Sequence, residues 1–175
     1  MRLSAEAPAK INRELRVGRI RPDGYHEVRS RMVSIDLADR LTAESAGGLE
    51  LVCDDPAVPR GEENLVVRAA RLLAREAGIA ARARLTLEKR VPMGGGLGGG
   101  SSDAAVALLL LERLWGLGSS RERLDALAAD LGSDVPFFLT GGEAEVTGRG
   151  EIVTPVEDGP GAKRIGIGLS APSRA

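Results

Sequence analysis

Along residues 10–20, KINRELRVGRI, apolar Ile11 and Val17 alternate with polar neighbours while Arg13 and Glu14 break the alternation, which predicts a partly exposed β-strand. Pro22-Asp23-Gly24 predicts a tight reversal, because proline presets φ and glycine accepts the turn backbone. Residues 28–35 and 49–53 are further short strand candidates, separated by Gly47-Gly48, and together these segments suggest an antiparallel cluster. From Asn64 the period changes. Leu65, Ala69, Leu72 and Leu73 share one face and Arg68, Arg71 and Arg75 another, so an amphipathic helix should run to about Ala77, with Asn64 as N-cap and Gly78 as its end. A strand at 83–88 leads through Pro92 into a glycine run, and the segment after it, SSDAAVALLLLERLWG, reads as a mostly buried helix. Ser119-Ser120-Arg121-Glu122 is a capping-box signature for another helix ending near Leu131. GSDVPFFL, a Gly141-Gly142 break and the strand-like EAEVT and EIVTPV follow. This order predicts an α+β domain, with helices packed on one side of a mainly antiparallel sheet. Beyond Val156 the chain is rich in Gly, Pro and Ser and reads as one more short strand with a loose terminus.

Composition narrows the function classes. A chain of 175 residues that is 43% hydrophobic can bury a core, but only 2% of it is aromatic, so a base-stacking platform is not expected. Its 24 basic residues are offset by 25 acidic ones, which also argues against a nucleic-acid partner. The single cysteine, Cys53, excludes an internal disulfide and reads as a small buried hydrophobe. With no apolar leader and no apolar run longer than Ala104 to Leu111, the expectation is a soluble, cytoplasmic protein with no membrane partner. Lysine occurs only at Lys10, Lys89 and Lys163 in an arginine-rich chain, a weak hint that a compact point charge is wanted there.

The strongest chemical signal is PMGGGLGGGSSD, residues 92–103. Gly94, Gly95, Gly96, Gly98, Gly99 and Gly100, interrupted only by Leu97, expose backbone N–H groups without side-chain obstruction, and the helix that follows adds positive potential. A di- or triphosphate is the natural ligand. Ser101 and Ser102 can cap the helix, or contact the phosphate or its metal. A Walker A loop is excluded because Gly100 stands where its lysine belongs. Gly94, Gly96 and Gly99 satisfy a dinucleotide fingerprint, yet no acidic residue follows at a second strand end about 20 residues on.

The pattern PMGGGLGGGSS resembles the nucleotide loop of the galactokinase, homoserine kinase, mevalonate kinase and phosphomevalonate kinase (GHMP) superfamily. APAKIN at 7–12, RPDGYHE at 21–27 and LGSDVPFF at 131–138 stand in the order and spacing of its 4-diphosphocytidyl-2-C-methyl-D-erythritol kinase family, a resemblance running from about Ser4 to Val156. It implies an ATP-dependent kinase with Mg²⁺ that phosphorylates the 2-hydroxyl of that small-molecule substrate in isoprenoid synthesis. Pro92, Met93 and the loop through Ser102 would hold the nucleotide, and Asn64 would face adenine or only cap its helix. Asp134 would be the catalytic base, although the residues alone favour reading Asp before Val135-Pro136 as a helix N-cap. Lys10 would lie beside it, where a fixed cation favours the ionised carboxylate. Asn12 would contact substrate, and Tyr25 and His26 would recognise its cytosine; the residue-level alternative for His26 is an exposed turn histidine. The metal ligands are not assigned.

Arg13 and Glu14 stand where that family usually has apolar residues. The resemblance also divides the chain into an ATP-binding domain, 1–157, and a short tail, 158–175, that would be the first strand of a second domain. A lone first domain is then expected to present an apolar patch and to form a homodimer. A nucleotide-binding domain with little or no activity of its own, or another small-molecule kinase of the superfamily, are the alternatives.

Overall fold

The computed structural model describes residues 1–169. Its frame is a long hairpin, β1 (Arg2–Ile20) and β2 (His26–Glu44), reversing over residues 21–25, where Gly24 takes a φ of 83°. The three short strands expected at this end are therefore two long ones plus β3 (Leu49–Cys53). β4 (Ala83–Glu88), β5 (Glu143–Thr147), β6 (Ile152–Pro155) and β7 (Ile167–Leu169) complete a seven-stranded sheet. The main path runs β3-β4-β2-β1-β7, and β5 pairs with β2 and β6. Among the described residues only β3 and β4 pair in parallel. The expected α+β, mainly antiparallel architecture is present. β7 adds to the edge of β1 at Leu3–Ala5, and residues 170–175 of the expected tail lie outside the described residues.

Four helices cover the sheet: α1 (Leu65–Glu76), α2 (Gly99–Trp115), α3 (Arg121–Leu131) and α4 (Val135–Thr140). α2 is the central one. Its Ala104 to Leu108, Leu110 and Leu111 are completely buried, and it packs on α1, α4, β1 and β2. A helix that is apolar nearly all round belongs in such a place. Asn64 caps α1 as expected, accepting from Val66 N at 2.9 Å. The cap of α3 is Ser120, one residue later than the capping box implies; its Oγ accepts from Arg123 N, and Glu122 reaches back to the same hydroxyl.

The hairpin is not regular, and its irregularities aim the polar groups. Register shifts fall between Pro8 and Lys10 and between Asn12 and Glu14. At the first shift three residues of β2, 35–37, face Ala9 alone on β1, and Ala9 and Lys10 are both buried there. The two extra residues lie on β2, opposite the point where Lys10 turns inward. Arg13, unexpected in this position, pairs with Glu143 on β5 at 3.3 Å, and Arg31 reaches the same fully buried carboxylate at 2.6 Å. Gly159 N also donates to Glu143, so its burial is accompanied by three charge-assisted bonds. These bonds hold its carboxyl below the usual range, led by the one from Arg31.

Candidate active site

The strand β4 ends at Glu88, and the chain passes through Pro92 into the glycine loop before α2 begins at Gly99. Gly94, Gly96 and Gly98 take φ values of 75°, 68° and 71°, the left-handed region that side chains disfavour. Gly98 occupies the N-cap of α2, so of the two roles open to Ser101 and Ser102 the cap is not the one taken. Together with Leu65 and Lys89, residues Pro92 to Ser101 line a cavity of about 340 Å³, a size suited to a small ligand. Ser101 lies at its wall, whereas Ser102 is fully buried with its Oγ unpartnered among the described residues. A larger groove of about 620 Å³ between α1 and α3 contains none of the expected site residues.

Lys10 and Asp134, 124 positions apart in sequence, meet in an ion pair of 3.4 Å. The lysine side chain is 7% exposed and the carboxylate 32%, so the cation is held inside while the acid faces the opening. Asp134 occupies the N-cap position of α4 but makes no side-chain capping bond there, which leaves its carboxylate for Lys10. Lys10 Nζ also donates to Asn12 Oδ1 at 3.1 Å, and Lys10 N donates to Leu97 O at 2.9 Å. The acid–base pair and the glycine loop are thereby fastened to each other. A Cβ at Gly98 would stand 3.1 Å from Lys10 Cγ and 2.8 Å from Phe138 Cζ, so only glycine lets the loop approach this closely.

Tyr25 and His26 sit exposed at the far end of the hairpin, outside the Lys10–Asp134 pair. His26 Nδ1 is 3.1 Å from Gly18 O. Arg149, in the β5–β6 turn, lies over the Tyr25 ring at 5.2 Å, and the next residue, Gly150, packs against Ser133 beside Asp134. That turn thus links the hairpin tip to the acid. Asn64 caps α1 by accepting from Val66 N, and its amide nitrogen donates to Pro59 O in the loop before the helix.

Sequence reasoning missed a second charged group. Lys89 Nζ is clasped by Asp39 on β2 and by Asp103 on α2, the latter at 3.0 Å, with all three side chains nearly inaccessible. Burial alone would lower the lysine's pKa, but the two carboxylates overcome it and raise it. Burial pushes Asp103 up to about 7 despite Lys89. The rarity of lysine was the one available signal.

Comparison with known proteins bears on the family and the fold. Residues 64–142 match the family model of the GHMP kinases N terminal domain. A curated 4-diphosphocytidyl-2-C-methyl-D-erythritol kinase from Salinispora arenicola is 52% identical over 85% of this chain and 48% of its own length. The chain carries a GHMP kinase N-terminal domain. A second kinase of the same name, from Salinibacter ruber, is 46% identical over 97% of this chain and 60% of its own. A crystal structure of 4-(cytidine 5'-diphospho)-2C-methyl-D-erythritol kinase superposes with a TM-score of 0.74 at 46% identity, over 87% of this chain and 55% of that one. Homoserine kinase from Cytophaga hutchinsonii, at 19% identity and a TM-score of 0.65 over 83% of this chain and 48% of that one, shares the GHMP fold. The chain spans about half the length of the curated relatives it matches.

Proposed function

We propose that this GHMP domain binds ATP on its glycine loop and positions 4-diphosphocytidyl-2-C-methyl-D-erythritol for phosphorylation at its 2-hydroxyl. The observation that carries the reading is the Lys10–Asp134 pair fastened to Leu97 of the loop, which sets an acid beside a phosphate cradle. Phosphoryl transfer asks little covalent chemistry of a protein; it needs alignment, charge stabilisation and a proton acceptor. In this reading the acceptor oxygen forms a bond to the γ-phosphorus as the bond to the β-phosphate oxygen breaks. Asp134 takes the hydroxyl proton, and ADP leaves. Lys10 orients that carboxylate and Asn12 the substrate, while Tyr25 and His26 hold the cytosine end. Residues 92–102 receive the nucleotide.

Among the described residues no group of three or more His, Cys, Asp or Glu is arranged to hold a metal. Mg²⁺ fits here as the nucleotide's companion, since it needs only one or two protein oxygens besides phosphates and water. Asp134 is a partly exposed carboxylate linked to the loop through Lys10. When bound, the ion would neutralise phosphate charge.

No helix is long and apolar enough to cross a membrane among the described residues. A cytoplasmic location without nucleic-acid partners belongs to the same reading. So does a homodimer, supported by exposed Ile11, Leu15 and Val17 along β1 and testable by sedimentation.

ADP release by the purified chain, measured against 4-diphosphocytidyl-2-C-methyl-D-erythritol, mevalonate and homoserine, tests the assignment. Turnover confined to the first supports it, and turnover of either other acceptor alone refutes the substrate. ATP binding without turnover of any acceptor favours a nucleotide-binding domain with little or no activity of its own.

A further inference from the structure

Three consecutive backbone N–H groups, those of Lys89, Arg90 and Val91, lead from β4 into the glycine loop, and carboxylates hold all three. Asp54 Oδ1 accepts from Lys89 N at 2.9 Å, and Asp39 Oδ1 accepts from Arg90 N at 2.5 Å and Val91 N at 2.8 Å. The other oxygen of Asp39 meets Lys89 Nζ, which also donates to Asp103 in the first turns of α2, where the loop ends. One ammonium group therefore ties the two ends of the loop together through two buried acids. It sits directly beneath the backbone: a Cβ at Gly99 would lie 3.4 Å from Lys89 Nζ and 3.0 Å from Val91 Cγ1.

Burying a cation with two carboxylates is costly, and a triad of this kind is often replaceable by neutral side chains without loss of stability. Its retention in a place that requires three buried charges calls for a use other than stability. Asp103 reinforces the point, since its Oδ1 is buried with no hydrogen-bond partner among the described residues. The lysine of a Walker loop offers its charge to phosphate, whereas Lys89 spends its charge on Asp39 and Asp103. Phosphate affinity must then come from the backbone N–H groups, which act only when the loop is correctly shaped.

We infer that Asp39, Lys89 and Asp103 form a positioning clamp that shapes the glycine loop for the phosphates of its nucleotide. Asp39 and Asp103 act through the loop and need not touch the ligand. This rests on the nucleotide reading above.

Calorimetric titration of the chain with ATP and with adenosine tests it, because a shape defect confined to the phosphate cradle weakens the first and spares the second. Asp103→Ala should weaken ATP by about tenfold or more, a size typical of changes in supporting residues around a site, and leave adenosine within about twofold. Asp103→Asn, which keeps an acceptor oxygen for Lys89, should recover most of that loss. The neutral triple variant Asp39→Asn/Lys89→Met/Asp103→Asn removes all three buried charges at once and keeps the protein folded if Asp103→Ala does not. It too should lose ATP and retain adenosine. Wild-type affinity for ATP in either folded variant, or an equal loss of both ligands, overturns the clamp. A wild-type chain that binds neither ligand refutes the nucleotide reading, and the clamp with it.

Discussion

Replacing Gly98 with alanine probes the contact that joins the glycine loop to the acid–lysine pair. Two costs follow from the structure. With φ at 71°, the backbone is left-handed, which for a residue with a Cβ costs about 1–2 kcal/mol. The methyl group would also stand 2.8 Å from Phe138 Cζ and 3.1 Å from Lys10 Cγ. Phe138 is fully buried, so its ring has nowhere to retreat, and overpacking adds about 1–3 kcal/mol. The sum, about 2–5 kcal/mol, should lower the melting temperature by roughly 4–20 °C in a chain of this length. Gly96→Ala and Gly95→Ala provide the scale. Gly96 has φ at 68° but open space around it, so only the backbone cost remains, about 1–2 kcal/mol or roughly 2–8 °C. Gly95 lacks a positive φ, and its nearest neighbour would be Leu97 Cδ1 at 3.7 Å, an ordinary contact, so its variant should melt close to wild type. Calorimetric melts without nucleotide give the order directly. If Gly98→Ala melts with Gly96→Ala, the close approach of loop, Phe138 and Lys10 is wrong.

Other outcomes follow from the buried charges. Glu143→Ala leaves Arg13 and Arg31 without their carboxylate and should cost about 2 kcal/mol, read as a shift in the urea midpoint. Because the folded Glu143 carboxyl is held below its ordinary value, its stabilisation is present above about pH 4.5 and should fade as pH drops through the folded pKa. Asp103 has the opposite sign: raised to about 7, it keeps its proton in the folded state while the unfolded chain loses it, so stability should fall between about pH 4 and 7 and level off above. Asp103→Asn should remove that slope in melts across pH. Burial raises the thiol of Cys53, so a thiol reagent at neutral pH should label it only as fast as the chain opens, and immediate labelling of the folded protein would contradict its placement.

Helices α1 and α3 were legible because their apolar period and capping residues are local, as was α2 from its apolar run after the loop. The glycine loop was legible as a phosphate cradle for the same reason: six glycines before a helix carry their meaning without tertiary context. The first strand was not. Leu3, Ser4 and Ala5 are buried in succession, as are Ala7 to Lys10, so no two-residue alternation marks the strand from Arg2 to Ala9. Asp39 reads in sequence as one more acid in a polar strand, and only the fold of β2 over β4 shows it accepting two backbone N–H groups. For Asp134 the residues alone favoured a helix cap. The structure leaves its side chain uncapped and turned to Lys10, a contact between the start of α4 and β1 that no local pattern announces.

The most direct test of the proposed site is substrate-dependent ADP release by wild type and Asp134→Asn, with ATP affinity measured on the same samples. The account predicts that the amide, unable to take the hydroxyl proton, lowers turnover by about 10²–10⁴-fold while ATP binds within about threefold of wild type. Undiminished turnover in Asp134→Asn would contradict it and leave Asp134 only a residue at the start of α4.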